Sequence, residues 1–237
     1  MILSIVIPTK NEEKCLPKLL ESIRKQTFED YEIIVADNKS DDKTREIAKK
    51  FGCAVTKGGM PGPGRNLGAK IAKGEILLFL DSDTELENEF FLELLVEEFK
   101  DRKLDVAVPM SYADGSVLDN LYYGFWNSLV KSFQIISPFA GGWCIFARKE
   151  IHDKINGFDE KIVLGEDSDY AKRSGKVGKF RALKGVKIKV SPRRFAKEGH
   201  LKIIIQSVWT GLYWAVKGRD RKNKAGYEFD IYNDKKK

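Results

Sequence analysis

Gly74-Glu75-Ile76-Leu77-Leu78-Phe79-Leu80-Asp81-Ser82-Asp83 is the stretch that decides the fold. From Ile76 to Leu80 no residue is polar, so a strand there has no face to turn to water and belongs at the centre of a sheet covered on both sides. Two carboxylates follow at once, at the strand end where open parallel sheets bind their ligands. Left bare at a buried edge they would repel each other and resist desolvation unless a cation neutralised them. A hard cation that keeps waters and bridges phosphates suits such a pair. Acids at strand ends also cap the helices that follow, and an isolated Asp-x-Asp carries either meaning.

Toward the N-terminus the pattern alternates. Leu3 to Ile7 is a second continuous apolar strand, and Asn11 is placed to cap a helix with Leu16, Leu19, Leu20 and Ile23 on one face. Tyr31 to Ala36 reads as a strand, followed by a polar turn from Asp37 to Asp42, a helix from Thr44 to Phe51 and a short strand from Cys53 to Thr56. A Gly/Pro-rich loop from Gly58 to Gly64 leads into a helix from Arg65 to Ala72. Beyond the central strand come a helix from Glu89 to Phe99 and a strand from Val106 to Val108. This order predicts an α/β fold, a Rossmann-like sandwich with a mostly parallel central sheet flanked by helices. Residues 1–110 form its nucleotide-binding half.

Residues 111–220 are expected to form an acceptor-side catalytic half of the same domain, ahead of a basic tail over 221–237. They hold an aromatic-rich stretch from Leu121 to Phe139 and a Gly-Gly-Trp turn into a strand from Cys144 to Ala147. An acidic helix start at Gly165-Glu166-Asp167 follows, then short strands at Val177–Phe180 and Val186–Val190 and a terminal helix from Leu201 to Val216.

With 42% hydrophobic and 32% charged residues and a net charge of +7, the 237-residue chain is that of a folded protein with a heavily charged surface. Cys15, Cys53 and Cys144 are odd in number, far apart and outside any metal-ligand spacing, which excludes a disulfide framework or zinc site and predicts a reducing, cytoplasmic setting. The apolar start is too short for a signal peptide, and no run reaches the ~18 apolar residues of a spanning helix. Basic residues are dispersed and no recognition module is apparent, so nucleic acid is not an expected partner.

Five elements in order carry a resemblance. Ile5-Val6-Ile7-Pro8-Thr9-Lys10-Asn11-Glu12, Val35-Ala36-Asp37-Asn38-Lys39-Ser40-Asp41-Asp42, Arg65-Asn66-Leu67-Gly68, the central stretch from Gly74 to Asp83, and Gly157-Phe158-Asp159-Glu160 leading to Gly165-Glu166-Asp167 resemble the family-2 glycosyltransferases of the GT-A fold. The resemblance implies an inverting, metal-assisted transfer from a nucleoside-diphosphate sugar, a UDP- or GDP-sugar, to a hydroxyl or phosphate on a glycan or lipid-linked acceptor. Under it Pro8, Thr9 and Glu12 line the nucleoside pocket and Asp37 accepts a hydrogen bond from base or ribose. Asp81 and Ser82 sit near ribose and metal, with Asp83 the direct ligand of Mn2+ or Mg2+. Asp167 takes the acceptor's proton, with Glu166 as its understudy; on their own these acids and Asp169 would read as a first helical turn complementing the dipole. Arg65 adds to phosphate or base binding, or pairs with a strand-end Asp. Arg193 and Arg194 resemble a basic segment that folds over the diphosphate. His200 is a further metal-ligand candidate, the other reading being a cap or surface histidine.

The aromatic stretches Leu121–Trp126 and Ile203–Trp214, with Lys131, Lys202, Lys217, Arg219 and Arg221 beside them, suit a peripheral helix at the inner face of a membrane. They also suit a core of the second half and an acceptor wall, or a homodimer contact, the reading preferred over membrane contact. Two other functions compete. A sugar-phosphate nucleotidyltransferase would carry a glycine-rich basic loop where this chain has Pro8-Thr9-Lys10-Asn11-Glu12. A catalytically inactive nucleotide-sugar-binding relative would have lost the acids that here stand at Asp83 and Asp167.

Overall fold

The computed structural model describes residues 2–59 and 61–217; the basic tail, with Arg219 and Arg221, lies outside them. The chain runs β1 (Leu3–Thr9), α1 (Leu16–Arg24), β2 (Tyr31–Asp37), α2 (Thr44–Lys50), β3 (Ala54–Lys57), α3 (Pro61–Ile71), β4 (Ile76–Leu80), β5 (Thr84–Leu86) and α4 (Phe91–Asp101). It continues through β6 (Val106–Ala113), α5 (Val117–Phe133), β7 (Cys144–Arg148), α6 (Lys149–Lys154), α7 (Glu166–Ser174), β8 (Phe180–Val190), α8 (Arg193–Glu198) and α9 (His200–Lys217).

One eight-stranded sheet has the order β3-β2-β1-β4-β7-β6-β8-β5. Its first four strands are parallel, with Ile5 opposite both Ile33 and Leu78. β2 and β4 lie on opposite sides of β1, so the chain reverses its direction of winding between β1 and β4 and opens a crevice at their carboxyl ends. The expectation of a mostly parallel sheet describes this half; beyond it the sheet is mixed. β7 runs antiparallel to β4 and β6, β8 is parallel to β6, and β5 is antiparallel to β8.

β4 is buried along its whole length, as its composition requires. Ile76, Leu78 and Leu80 join Leu3, Ile5 and Ile7 in a core beneath α1 and α4, while Leu77 and Phe79 join Val6 in a second core beneath α3 and α7. The two-residue period of a strand thus feeds both layers.

Three local expectations are corrected. Asn11 does not cap α1: it adopts φ 54°, and its Oδ1 accepts from the Asp41 amide, tying the β1 loop to the β2 loop. Helix α1 begins at Leu16 with Pro17 in the first turn, where its missing N–H costs nothing. The glycine-rich loop is shorter than its composition suggests, because Pro61 and Pro63 also sit in a first helical turn and α3 starts four residues before Arg65. The strands expected at Val177–Phe180 and Val186–Val190 are one strand, β8, and Val177 lies in the turn before it. Pairing with β6 is interrupted between Val108 and Met110, at Pro109, which has no N–H for the ladder, so β8 bulges there rather than ending.

Candidate active site

The carboxyl ends of β1 and β4 open into a cleft of about 1030 Å³ whose lining includes Pro8, Thr9, Glu12, Asp81, Ser82 and Asp83. Glu166 and Asp167 face it from the first turn of α7, and Arg193 and Arg194 from α8. Residues scattered over most of the chain are therefore brought to one crevice.

Arg65 organises its floor. It is 1% exposed, and its guanidinium donates through Nη1 to Glu166 and through Nη2 to Asp81, each at 2.7 Å, and also to the Gly142 carbonyl at 3.0 Å. The Phe158 ring lies beneath it, 5.2 Å from ring centre to Cζ. Of the two readings open in the sequence, the ion pair to a strand-end aspartate is the one the geometry displays. Gly142 is required where it is: a Cβ there would lie 2.8 Å from Arg65 Nη2 and 3.3 Å from an Asp167 oxygen.

The acids around Arg65 differ. Burial pushes Asp81 up to about 6, against the pull of Arg65 and with the repulsion of Asp83. Asp167 is raised well above the usual carboxylate range, first by burial and next by the Glu166 charge beside it, with Arg65 opposing. It follows Gly165, whose φ of 85° turns the chain sharply into α7. Its Oδ1 accepts from the Ser168 amide. Asp169 is committed elsewhere, paired with Arg173 one turn along the helix. The three first-turn acids are thus not equivalent helix-end charges: one holds Arg65, one pairs within the helix, and Asp167 faces the cleft with no ion-pair partner among the described residues.

At the opposite wall Arg193 binds both Glu12 oxygens, at 2.8 and 2.9 Å, and reaches Asp83 through Nε at 3.1 Å. Its guanidinium supplies the positive charge between two carboxylates that would otherwise repel. Burial raises the Glu12 pKa and Arg193 counters it. Arg194 donates to Glu198 at 3.2 Å and to Gln206 at 3.3 Å, linking α8 to α9.

Two predicted residues point elsewhere. Asp37, fully buried, accepts from the Ser40 amide, Ser40 hydroxyl, Thr9 hydroxyl and Arg45 Nε. Burial alone would raise its pKa, but the Ser40 bonds and Arg45 outweigh it and hold it low. Its neighbour Asn38 lines the cleft. His200 Nε2 lies 2.7 Å from Asp119, with its ring stacked on Phe195 at 5.0 Å; this arrangement anchors the start of α9 to the start of α5. The aromatic stretch Leu121–Trp126, for which an acceptor wall was one reading, lies on α5 and brings Tyr122, Tyr123 and Trp126 to the cleft; missed in the sequence was Asn127 beside them. The capping box Ser116–Asp119 marks that helix in the sequence.

The donor set suits a hard cation. Asp83 offers oxygen, partly exposed to the cleft, with Asp81 two residues away. Among the described residues no group of three or more His, Cys, Asp or Glu side chains is placed to hold an ion by itself. A magnesium or manganese ion here would depend on oxygens from a bound phosphate and water, its usual habit.

Comparison with known proteins agrees with this layout. The chain is 40% identical over 106 residues to 4,4'-diaponeurosporenoate glycosyltransferase of Staphylococcus haemolyticus, covering 41% of this chain and 28% of that protein. It is 28% identical over 188 residues to glycosyltransferase AglE of Haloferax volcanii, covering 74% and 62%. The chain thus spans less than two thirds of the length of either relative. Among solved structures, S. aureus TarS 1-349 in complex with UDP-GlcNAc superposes with a TM-score of 0.67 at 24% identity, covering 81% of this chain and 58% of that one. A Pyrobaculum calidifontis mannosyltransferase in complex with GDP-Man and Mn2+ gives 0.67 at 18%, covering 87% and 64%. These likenesses place the fold among GT-A-type glycosyltransferases. The family model for Glycosyl transferase family 2 matches residues 4–155, from β1 to the end of α6, and the chain belongs to that family.

Proposed function

We propose that this protein transfers a sugar, with inversion, from a nucleoside-diphosphate sugar to an acceptor hydroxyl, with Asp167 as the general base. The observation that carries the reading is the contrast between two acids on one helical turn: Glu166 is held by Arg65, whereas Asp167 faces the cleft with no ion-pair partner among the described residues. A carboxylate with a raised pKa, open to a cleft, is suited to accept a proton near neutral pH.

In the proposed reaction the acceptor oxygen attacks the anomeric carbon on the face opposite the leaving diphosphate. The new C–O bond forms as the bond to the phosphate oxygen breaks, and the hydroxyl proton passes to Asp167. Pro8, Thr9, Glu12 and Ser82 form the donor wall. Asp83, with Asp81, would hold Mg2+ or Mn2+ against the diphosphate, and such an ion supplies charge stabilisation for the leaving group. Arg193 and Arg194, which line the same cleft, would meet phosphate oxygens once the donor competes for them. Pocket shape selects the sugar, the base of the nucleotide and the acceptor, glycan or lipid-linked.

The test is calorimetric titration of UDP, GDP and their common sugars with and without Mn2+ or Mg2+, followed by transfer assays with the donor that binds. Asp167→Asn should lower turnover about 10²- to 10⁴-fold with donor affinity nearly unchanged. Equal loss of binding and turnover, or no metal-dependent binding of any donor, overturns the assignment.

A further inference from the structure

Most of the exposed large hydrophobic side chains among the described residues fall on α5, on the segment after it and on α9. On α5, Val117, Leu118, Leu121 and Phe125 recur at helical spacing, with Leu121 64% and Phe125 61% exposed. On α9, Leu201, Ile204, Ile205 and Trp209 do the same, with Ile205 58% and Trp209 61% exposed. The two helices are joined side by side by the Asp119–His200 pair and by a 3.0 Å bond between the Tyr122 and Ser207 hydroxyls. Ile135 and Ile136 extend the apolar surface past the end of α5. Exposed apolar side chains so concentrated on two joined helices mark an interaction surface rather than the scattered exposure of an ordinary one.

Charge identifies the occupant. Between Ser116 and Phe139 the only carboxylate is Asp119, which is buried and bonded to Ser116 and His200, and α9 contains no acid at all. The charged residues in these segments besides Asp119 are lysines, Lys131, Lys202 and Lys217; Lys131 and Lys202 are exposed, Lys202 with its ammonium 3.2 Å from Glu198 of α8, and Lys172 and Lys176 of the α7 region stand exposed at the cleft rim. A protein partner would commonly meet such a face with a mixture of charges. An apolar surface flanked by lysine and emptied of acid complements a sheet of anionic lipid headgroups over hydrocarbon. Among the described residues no helix is long and apolar enough to cross a membrane, so contact would be lateral.

We infer that the α5–α9 face docks on the surface of an anionic bilayer. The same two helices also wall the cleft, through Tyr122, Tyr123, Ile203 and Gln206, and Trp209 belongs both to the exposed face and to the cleft lining. Docking therefore brings the cleft mouth to the lipid surface, where a lipid-borne acceptor is delivered; this consequence rests on the transfer reaction proposed above.

The experiment is co-flotation of the 237-residue protein with phosphatidylcholine vesicles and with vesicles containing phosphatidylglycerol, alongside Phe125→Ser/Ile205→Ser, whose sites lie outside the cleft lining. The wild type should float with the anionic vesicles, less so as salt is raised. The double variant should bind them about a hundredfold more weakly, near tenfold per buried side chain. Its folding is checked by an unchanged melting temperature. A wild type that does not float, a variant that floats equally well, or a wild-type dimer dissolved by the substitutions without vesicle binding each overturns the proposal, the last in favour of a second copy on this face. Nucleotide-sugar binding, measured in parallel, separates the two readings. Donor binding without flotation removes only the docking face, and flotation without any donor binding removes only the transfer reaction.

Discussion

Replacing Arg65 with Met tests whether one buried guanidinium holds the acids of the site together. Methionine keeps much of the apolar stem over Phe158 but removes the charge that Asp81 and Glu166 each meet at 2.7 Å. Leaving buried carboxylates without their partner costs about 3–5 kcal/mol. The Asp81 side chain is 33% exposed and keeps part of its hydration, so the lower end, about 3 kcal/mol, is expected at pH 8. Without the guanidinium, which opposes the effect of burial on Asp81 and Asp167, the pKa values of these two carboxyl groups rise further. A carboxyl group whose folded pKa is raised destabilises the fold as the pH climbs through that value and ceases to do so once protonated. At pH 5 the loss should therefore shrink to about 1–2 kcal/mol, the cost of the missing hydrogen bonds. Urea unfolding of both proteins at the two pH values measures the difference. A penalty that is equal at both, or smaller than about 1 kcal/mol at pH 8, refutes the claim that Arg65 acts by neutralising Asp81 and Glu166.

Three further outcomes are expected. Burial among Phe79, Phe158 and Tyr170 holds His152 neutral and pushes its pKa down to about 4, so the unfolded chain binds the proton first. Wild-type stability should fall by up to about 3 kcal/mol as the pH drops from about 6.5 toward 4, and His152→Asn should flatten that slope in urea titrations; identical slopes would contradict it. Arg193→Ala removes the cation lying between Glu12 and Asp83, so Mn2+ affinity of the donor-free protein, read by electron paramagnetic resonance, should rise up to about tenfold, and an unchanged affinity would separate Arg193 from the ion's site. In Gly68→Ala the new methyl would collide with Val6 Cγ1 where α3 crosses β1, a cost of about 1–3 kcal/mol by thermal or urea unfolding. Val6→Ala should restore part of that loss, and strictly additive losses would place the strain elsewhere.

Much of the fold was legible because the first half obeys local rules. An apolar run such as Ile76–Leu80 has no solvent-facing solution, and alternation with amphipathic helices leaves a doubly wound sheet as the economical arrangement. Chain-breaking residues were harder. Pro61 and Pro63 read as loop in a string of glycines yet begin α3, since proline is excluded from helix interiors but not from a first turn. The bulge opposite Pro109 hid the continuity of β8, because a break in ladder bonds and a break in the strand look alike in sequence.

That acids stand at the ends of β2 and β4 and at the start of α7 can be read from the residues alone, since strand and helix periods set which residues come last in each element. How those acids divide their work depends on which distant side chains the fold packs against them. Asp37 is consumed by Ser40 and Arg45, Glu166 and Asp81 by Arg65, Glu12 and Asp83 by Arg193, and Asp167 is left facing the cleft with no ion-pair partner among the described residues. Those pairings join residues up to 181 positions apart, and a charge's partner depends on distance in space and on burial, neither of which a spacing pattern contains.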